Sequence, residues 1–137
     1  VRIPPYIECD PAELPRIMRW AQRKLSLRDW TLALTTDAAT ARTAGMTAFD
    51  QQFGGVTHYA PTMHAVIAVN LTQCREADIS GTRDPRWIVC HEVAHLLTAD
   101  TAGDLDPDDK HFAAWELLAN RIAGVLFDLY EAEGRTP

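Results

Sequence analysis

The chain has 137 residues, 47% of them hydrophobic, enough for one self-supporting core and too few for two domains of ordinary size. Nineteen acidic against 13 basic residues give a formal net charge of −6, which sets long-range electrostatics against nucleic acid and anionic membrane surfaces. Three scattered cysteines (Cys9, Cys74 and Cys90) with no CxxC pair exclude a disulfide framework and a zinc ribbon, and suit a reducing interior.

Residues 1–10 hold no apolar run of signal-peptide length, and no segment approaches transmembrane length, so a cytoplasmic, soluble protein is expected. Three Asp-Pro pairs, at Asp10, Asp84 and Asp106, then mark helix starts. The carboxylate accepts orphan amides, and proline at the first helical position gives up no needed hydrogen bond. The first helix is predicted from about Pro11 to Leu25, with Leu14, Ile17, Met18, Ala21 and Leu25 on one apolar face. "DWTLALTT" alternates Trp30, Leu32 and Leu34 with polar or small neighbours, as a half-buried strand does. The Gly-, Thr- and Gln-rich stretch 40–61 holds one or two weaker strands around Gly54 and Gly55. "HAVIAVNL", from His64 to Leu71, is the strongest strand signal. A second helix follows from Pro85 to Ala99, and a third from Pro107 to Ala132, ending at Gly134. The expectation is one α+β domain over residues 1–137, with a small, mostly antiparallel sheet of three or four strands.

"WIVCHEVAHLL", residues 87 to 97, contains His91, Glu92 and His95 as HExxH. Positions i and i+4 share a helix face, so both imidazoles can reach one Zn2+ ion at about 2.0–2.1 Å. Glu92 then stands where it can act as general base toward a zinc-activated water, the arrangement for attack on a peptide carbonyl. The competing reading is an ordinary core helix, which would bury two imidazoles and a carboxylate at a cost of a few kcal/mol (~2 or more). Cys90, rotated away from both histidines, reads as a small buried hydrophobe.

A catalytic zinc takes three protein ligands, and the continuation HExxHxxGxxH is absent. Asp100, His111 and Glu116 are the candidates for the third. Asp100 belongs to the acidic stretch "DTAGDLDPDD". His111 continues the stripe Trp115, Leu118, Ile122, Val125 and Leu129, whereas Glu116 interrupts Phe112, Ala119, Ala123, Leu126 and Tyr130. A carboxylate among apolar positions is costly unless paired or metal-bound, which favours Glu116 and leaves His111 as the alternative.

"ELLANRIAGVL", from Glu116, resembles the ExxANxxAxxLL segment of ImmA/IrrE-type metallopeptidases and related small phage-encoded ones, which are gluzincin-like. The strand "AVIAVN" ahead of the HExxH helix fits their order, and the resemblance covers about residues 65–126. It implies a zinc metalloendopeptidase with the glutamate as third ligand, and a protein substrate such as a repressor-type regulator. A second resemblance is to SprT-like proteases, in which a histidine follows HExxH after roughly fifteen residues, in an HGxxF context. His111 in "HFAAW" has nearly that spacing but lacks the glycine, and the zinc ribbon often found in that group has no counterpart. A further alternative is a catalytically inert zincin-fold regulatory or binding module with a structural zinc. "HAVIAVN" is the candidate edge for an added substrate strand, and His58, Tyr59 and His64 are candidate donors to a transition-state oxyanion. Trp20, Trp30, Trp87 and Trp115 read as packing residues. Neither membrane nor nucleic acid is an expected partner.

Overall fold

The computed structural model describes residues 10–76, 84–99 and 109–134. The elements run α1 (Glu13–Lys24), β1 (Thr31–Thr35), α2 (Ala38–Thr43), β2 (Gly54–Tyr59), β3 (His64–Val69), α3 (Leu71–Glu76), α4 (Pro85–His95) and α5 (Phe112–Leu129). Short 3-10 turns fall at Phe49–Gln51, Ala60–Thr62 and Leu96–Thr98, and a π-helical turn, Tyr130–Gly134, ends α5. The fold is α+β, as expected. Among the described residues no helix is long and apolar enough to cross a membrane.

Asp10 accepts a hydrogen bond from the Ala12 amide (3.0 Å), so residues 11 and 12 form an entry turn and α1 begins at Glu13 rather than Pro11. Leu14, Ile17, Met18, Trp20 and Ala21 form its buried face. The helix closes with Ser26 in the left-handed region (φ 57°), Ser26 N–H bonding Arg23 O and Leu27 N–H bonding Gln22 O. This is a Schellman ending, with serine where glycine is usual. It turns Leu27 and Trp30 back into the core.

The sheet has three strands in the order β1-β3-β2, with β1 parallel and β2 antiparallel to β3. The mixed pairing explains why "HAVIAV" reads as a continuous apolar run. Ala65, Ile67 and Val69 face the main core under α1 and α4, while Val66 and Ala68 are covered by a second cluster of Ala41, Met46 and Phe49. A strand covered on both faces has no polar alternation. The central place of β3 also overturns the expectation that it offers an edge to substrate: both its sides are paired, and β1 and β2 are the edge strands.

Two short helices did not stand out in the sequence. α2 is capped by Asp37, which accepts from the amide (2.8 Å) and hydroxyl (2.7 Å) of Thr40. Asn70 ends β3 and starts α3, accepting from Gln73 N–H (3.0 Å) and donating to Phe49 O (3.0 Å). α4 starts at Pro85 as expected, with Asp84 accepting from Arg86 N–H (2.9 Å). Every residue of α4 is buried, because the helix lies against the sheet, α1 and α5. Leu97 lies beyond its end and is 42% exposed. The third long helix begins at Phe112 rather than Pro107, since residues 109–111 form a turn; the Asp106-Pro107 pair lies outside the described residues. On α5 the buried face is Ala119, Ala123, Leu126 and Tyr130, the stripe that Glu116 interrupts. The alternative stripe through Leu118, Val125 and Leu129 faces outward.

Candidate metal centre

The last turn of α4 and the first turns of α5 bring one glutamate to two histidines. His91 Nε2 and His95 Nε2 stand 3.1 Å apart. Glu116 places Oε2 3.2 Å from His91 Nε2 and Oε1 3.0 Å from His95 Nε2. Ligand atoms held at about 2.0–2.1 Å in a tetrahedron lie about 3.3 Å from one another. The three separations come close to that value, so two imidazole nitrogens and a carboxylate are spaced for one zinc ion, with each carboxylate oxygen facing one imidazole. His91, Glu92 and His95 also offer ligand atoms all within 4.8 Å of one another, which makes Glu92 a rival third ligand. Glu116 is the nearer of the two carboxylates. Glu92 Oε1 is 3.7 Å from His91 Nε2, whereas Glu116 is within 3.2 Å of both imidazoles.

The carboxylates and imidazoles of the site shift one another. Burial pushes Glu116 up, but the hydrogen bonds and charges of His91 and His95 outweigh it and hold the carboxyl at about 2. Burial pushes His91 down, yet the hydrogen bond to Glu116 and the charge of Glu92 carry the net shift upward. Two carboxylates facing two imidazoles therefore draw positive charge to this point.

A groove opens over the site in two connected hollows. One, of about 380 Å³, is lined by Gln51, Phe53, Trp87, His91 and Asn120. The other, of about 420 Å³, is lined by Met46, Gly55, Val56, Thr57, His95 and Trp115. Glu92, Glu116, Phe112, Gln52 and Gly54 line both, so the two carboxylates mark where the hollows meet. The free edge of β2 forms one wall. It comes this close to α4 because Gly54 has no side chain: a Cβ there would lie 2.6 Å from Ile88 Cγ2 and 2.7 Å from Ala68 O.

The other sequence candidates lie elsewhere. His111 is in the turn before α5, its side chain 70% exposed, with its amide bonded to Asp109 Oδ1 (2.8 Å) and Nδ1 3.3 Å from that same oxygen. His58, Tyr59 and His64 line a separate apolar hollow at the other end of the β2–β3 pair. There His58 meets Trp30 edge-on (6.0 Å, 87°), and His64 Nδ1 is 2.8 Å from Thr62 O. Asp100 and Cys9 lie outside the described residues. Cys90 is fully buried and its thiol is pushed well above the usual range, chiefly by that burial, as expected of a packing residue.

Three features escaped the sequence reading. Asn120, one turn after Glu116, stands beside His91 and supports its upward shift. Its signal was a polar residue four places from a proposed ligand. Trp87 stacks on His91 (5.3 Å, 26°), and Trp115 lies on His95 (3.9 Å, 33°). Trp115 is half-buried on the groove wall, unlike Trp20, Trp30 and Trp87, which are in the core as expected. No protein-family model, curated protein or solved structure matches this chain, so its chemistry has to be argued from these side chains.

Proposed function

We propose that this chain is a zinc-dependent metallopeptidase in which His91, His95 and Glu116 hold the ion and Glu92 is the general base. The observation that carries the reading is the meeting of the two Nε2 atoms with the Glu116 carboxylate at 3.0–3.2 Å beside a second, non-bridging carboxylate. A zinc ion there supplies Lewis acidity and brings the pKa of water down to about 7. Glu92, buried and open to both hollows, accepts the proton of the attacking water and returns it to the departing amine. The free edge of β2 offers backbone N–H and C=O groups to an extended peptide, which would run along the groove as an added strand. This role passes to β2 from β3, whose edges are both taken. The resemblance to ImmA/IrrE-type enzymes suggests a repressor-type protein as substrate. The buried cysteines Cys74 and Cys90 suit a reducing, cytoplasmic setting.

Zinc content measured on purified variants tests the ligand set. Glu116→Ala should lose the metal and His111→Ala should keep it; the opposite pair of results overturns the assignment and favours the SprT-like arrangement. Glu92→Gln should retain zinc while peptide cleavage falls by about 10²-fold or more. If a cellular effect of the protein survives Glu92→Gln with zinc retained, the chain is a regulatory module and not a peptidase.

A further inference from the structure

We infer that Trp115 is a positioning residue of the metal centre, fixing the His95 imidazole by ring contact where a ligating histidine ordinarily uses a hydrogen bond. This rests on reading the site as a metal centre. A metal-binding imidazole commonly donates from its second nitrogen to a carboxylate, carbonyl or water, which sets its tautomer and its ring plane. His95 turns Nε2 toward Glu116 and His91, and its buried Nδ1 has no hydrogen-bond partner among the described residues. The ring is instead covered by the Trp115 indole, 3.9 Å between centroids at a tilt of 33°.

The indole is itself held. Trp115 Nε1–H donates to Thr98 Oγ1 (3.1 Å), and the Thr98 hydroxyl donates to His95 O (3.2 Å). Side chain, indole, hydroxyl and main chain thus close a loop that begins and ends on His95. Phe112 backs the indole at 5.6 Å. Trp115 also directly precedes Glu116, so the stretch of α5 that delivers the third ligand also delivers the clamp on the second. Half-exposed on the groove wall, this tryptophan contributes less to the core than Trp20, Trp30 or Trp87.

The test is zinc affinity by competition with a chromophoric chelator, together with the visible spectrum of the cobalt-substituted protein, for wild type, Trp115→Leu, Trp115→Phe and Thr98→Val. Far-UV circular dichroism and melting check that each variant is folded. Loss of an outer-shell partner costs about 10–100-fold in metal affinity. Trp115→Leu should therefore bind zinc at least about tenfold more weakly, with shifted cobalt bands. Trp115→Phe, which keeps a ring, and Thr98→Val, which keeps the indole and removes only its tether, should both stay within about threefold of wild type. Wild-type affinity and an unchanged cobalt spectrum in Trp115→Leu overturn the inference while leaving the metal reading intact. Equal loss in the Leu and Phe variants also overturns it, since the N–H and not the ring would then be responsible. If Trp115→Leu does not fold, Trp115→Met takes its place, and wild-type affinity with an unchanged cobalt spectrum in that variant overturns it. A wild-type protein that binds neither zinc nor cobalt removes both this inference and the metal reading.

Discussion

Gly54 and Tyr130 show how single side chains set the limits of this fold. The Cβ that Gly54 lacks would meet both the Ile88 side chain and the Ala68 carbonyl, a helix and a strand that cannot both retreat. Gly54→Ala should destabilise the protein by about 1–3 kcal/mol, read as a lower urea midpoint, because overpacking forces a backbone shift. Tyr130 is buried, and burial together with the hydrogen bond it donates to Glu13 Oε2 (2.9 Å) raises its phenol to about 12. Folding therefore favours the neutral phenol. Its contribution is complete below about pH 10, the ordinary tyrosine value, and is lost as the pH rises toward 12. Urea midpoints at pH 9 and 11 should fall more steeply for wild type than for Tyr130→Phe. Equal slopes would refute this assignment.

At the scale of elements, α4 is anchored differently at its two ends. At its start Arg86, 1% exposed, bonds Asp84 through Nε (3.1 Å) and Nη2 (2.7 Å) and reaches Glu131 of the closing π turn through Nη1 (2.9 Å). Burial alone would lower its pKa, but the hydrogen bonds and charges of Asp84, with Glu131, carry the net shift upward, so the guanidinium stays charged. Removing one partner of a buried pair leaves an uncompensated charge, so Asp84→Ala should cost about 3–5 kcal/mol in chemical denaturation. A loss below about 1 kcal/mol would mean that Glu131 and solvent suffice. The helices most legible in the sequence were those with such local signals. Asp-Pro starts placed α1 and α4 within two residues. The six-residue α2 and α3 were not legible, because they depend on caps at Asp37 and Asn70 in stretches without an apolar face long enough to show a period. The central place of β3 had a signal that was misread: an unbroken apolar run indicates cover on both faces.

Across the whole molecule, the candidate centre joins α4 to α5, two helices separated in sequence by residues 96–111. A metal held by both would act as a clasp, and binding to the folded state alone raises stability by mass action. At about 100 times the dissociation constant this amounts to about 2.7 kcal/mol, and for a domain of this size a rise of about 5–10 °C in melting temperature. Zinc should produce that rise in wild type and none in Glu116→Ala; a rise of equal size in the variant would remove Glu116 from the ligand set. HExxH was readable from spacing alone, since both ligands belong to one helix. Glu116 was readable as a misfit in an apolar stripe, and the resemblance that starts at it pointed to the same residue. Trp115 was not readable, because helical periodicity does not tell a groove wall from a core.

The complete burial of α4 bears on how the protein would respond to mutation at large. From Pro85 to His95 no side chain is free to change without disturbing its packing, so in a saturating mutational screen this stretch should be uniformly intolerant whether or not the protein cleaves anything. Intolerance at His91, Glu92 or His95 would thus say little about chemistry. The informative positions are Glu116 and Asn120, partly exposed on α5, where packing asks for neither a carboxylate nor an amide. Strict selection at those two positions, against a permissive background at Leu117, Leu118 and Val125, would be the mark of a working site.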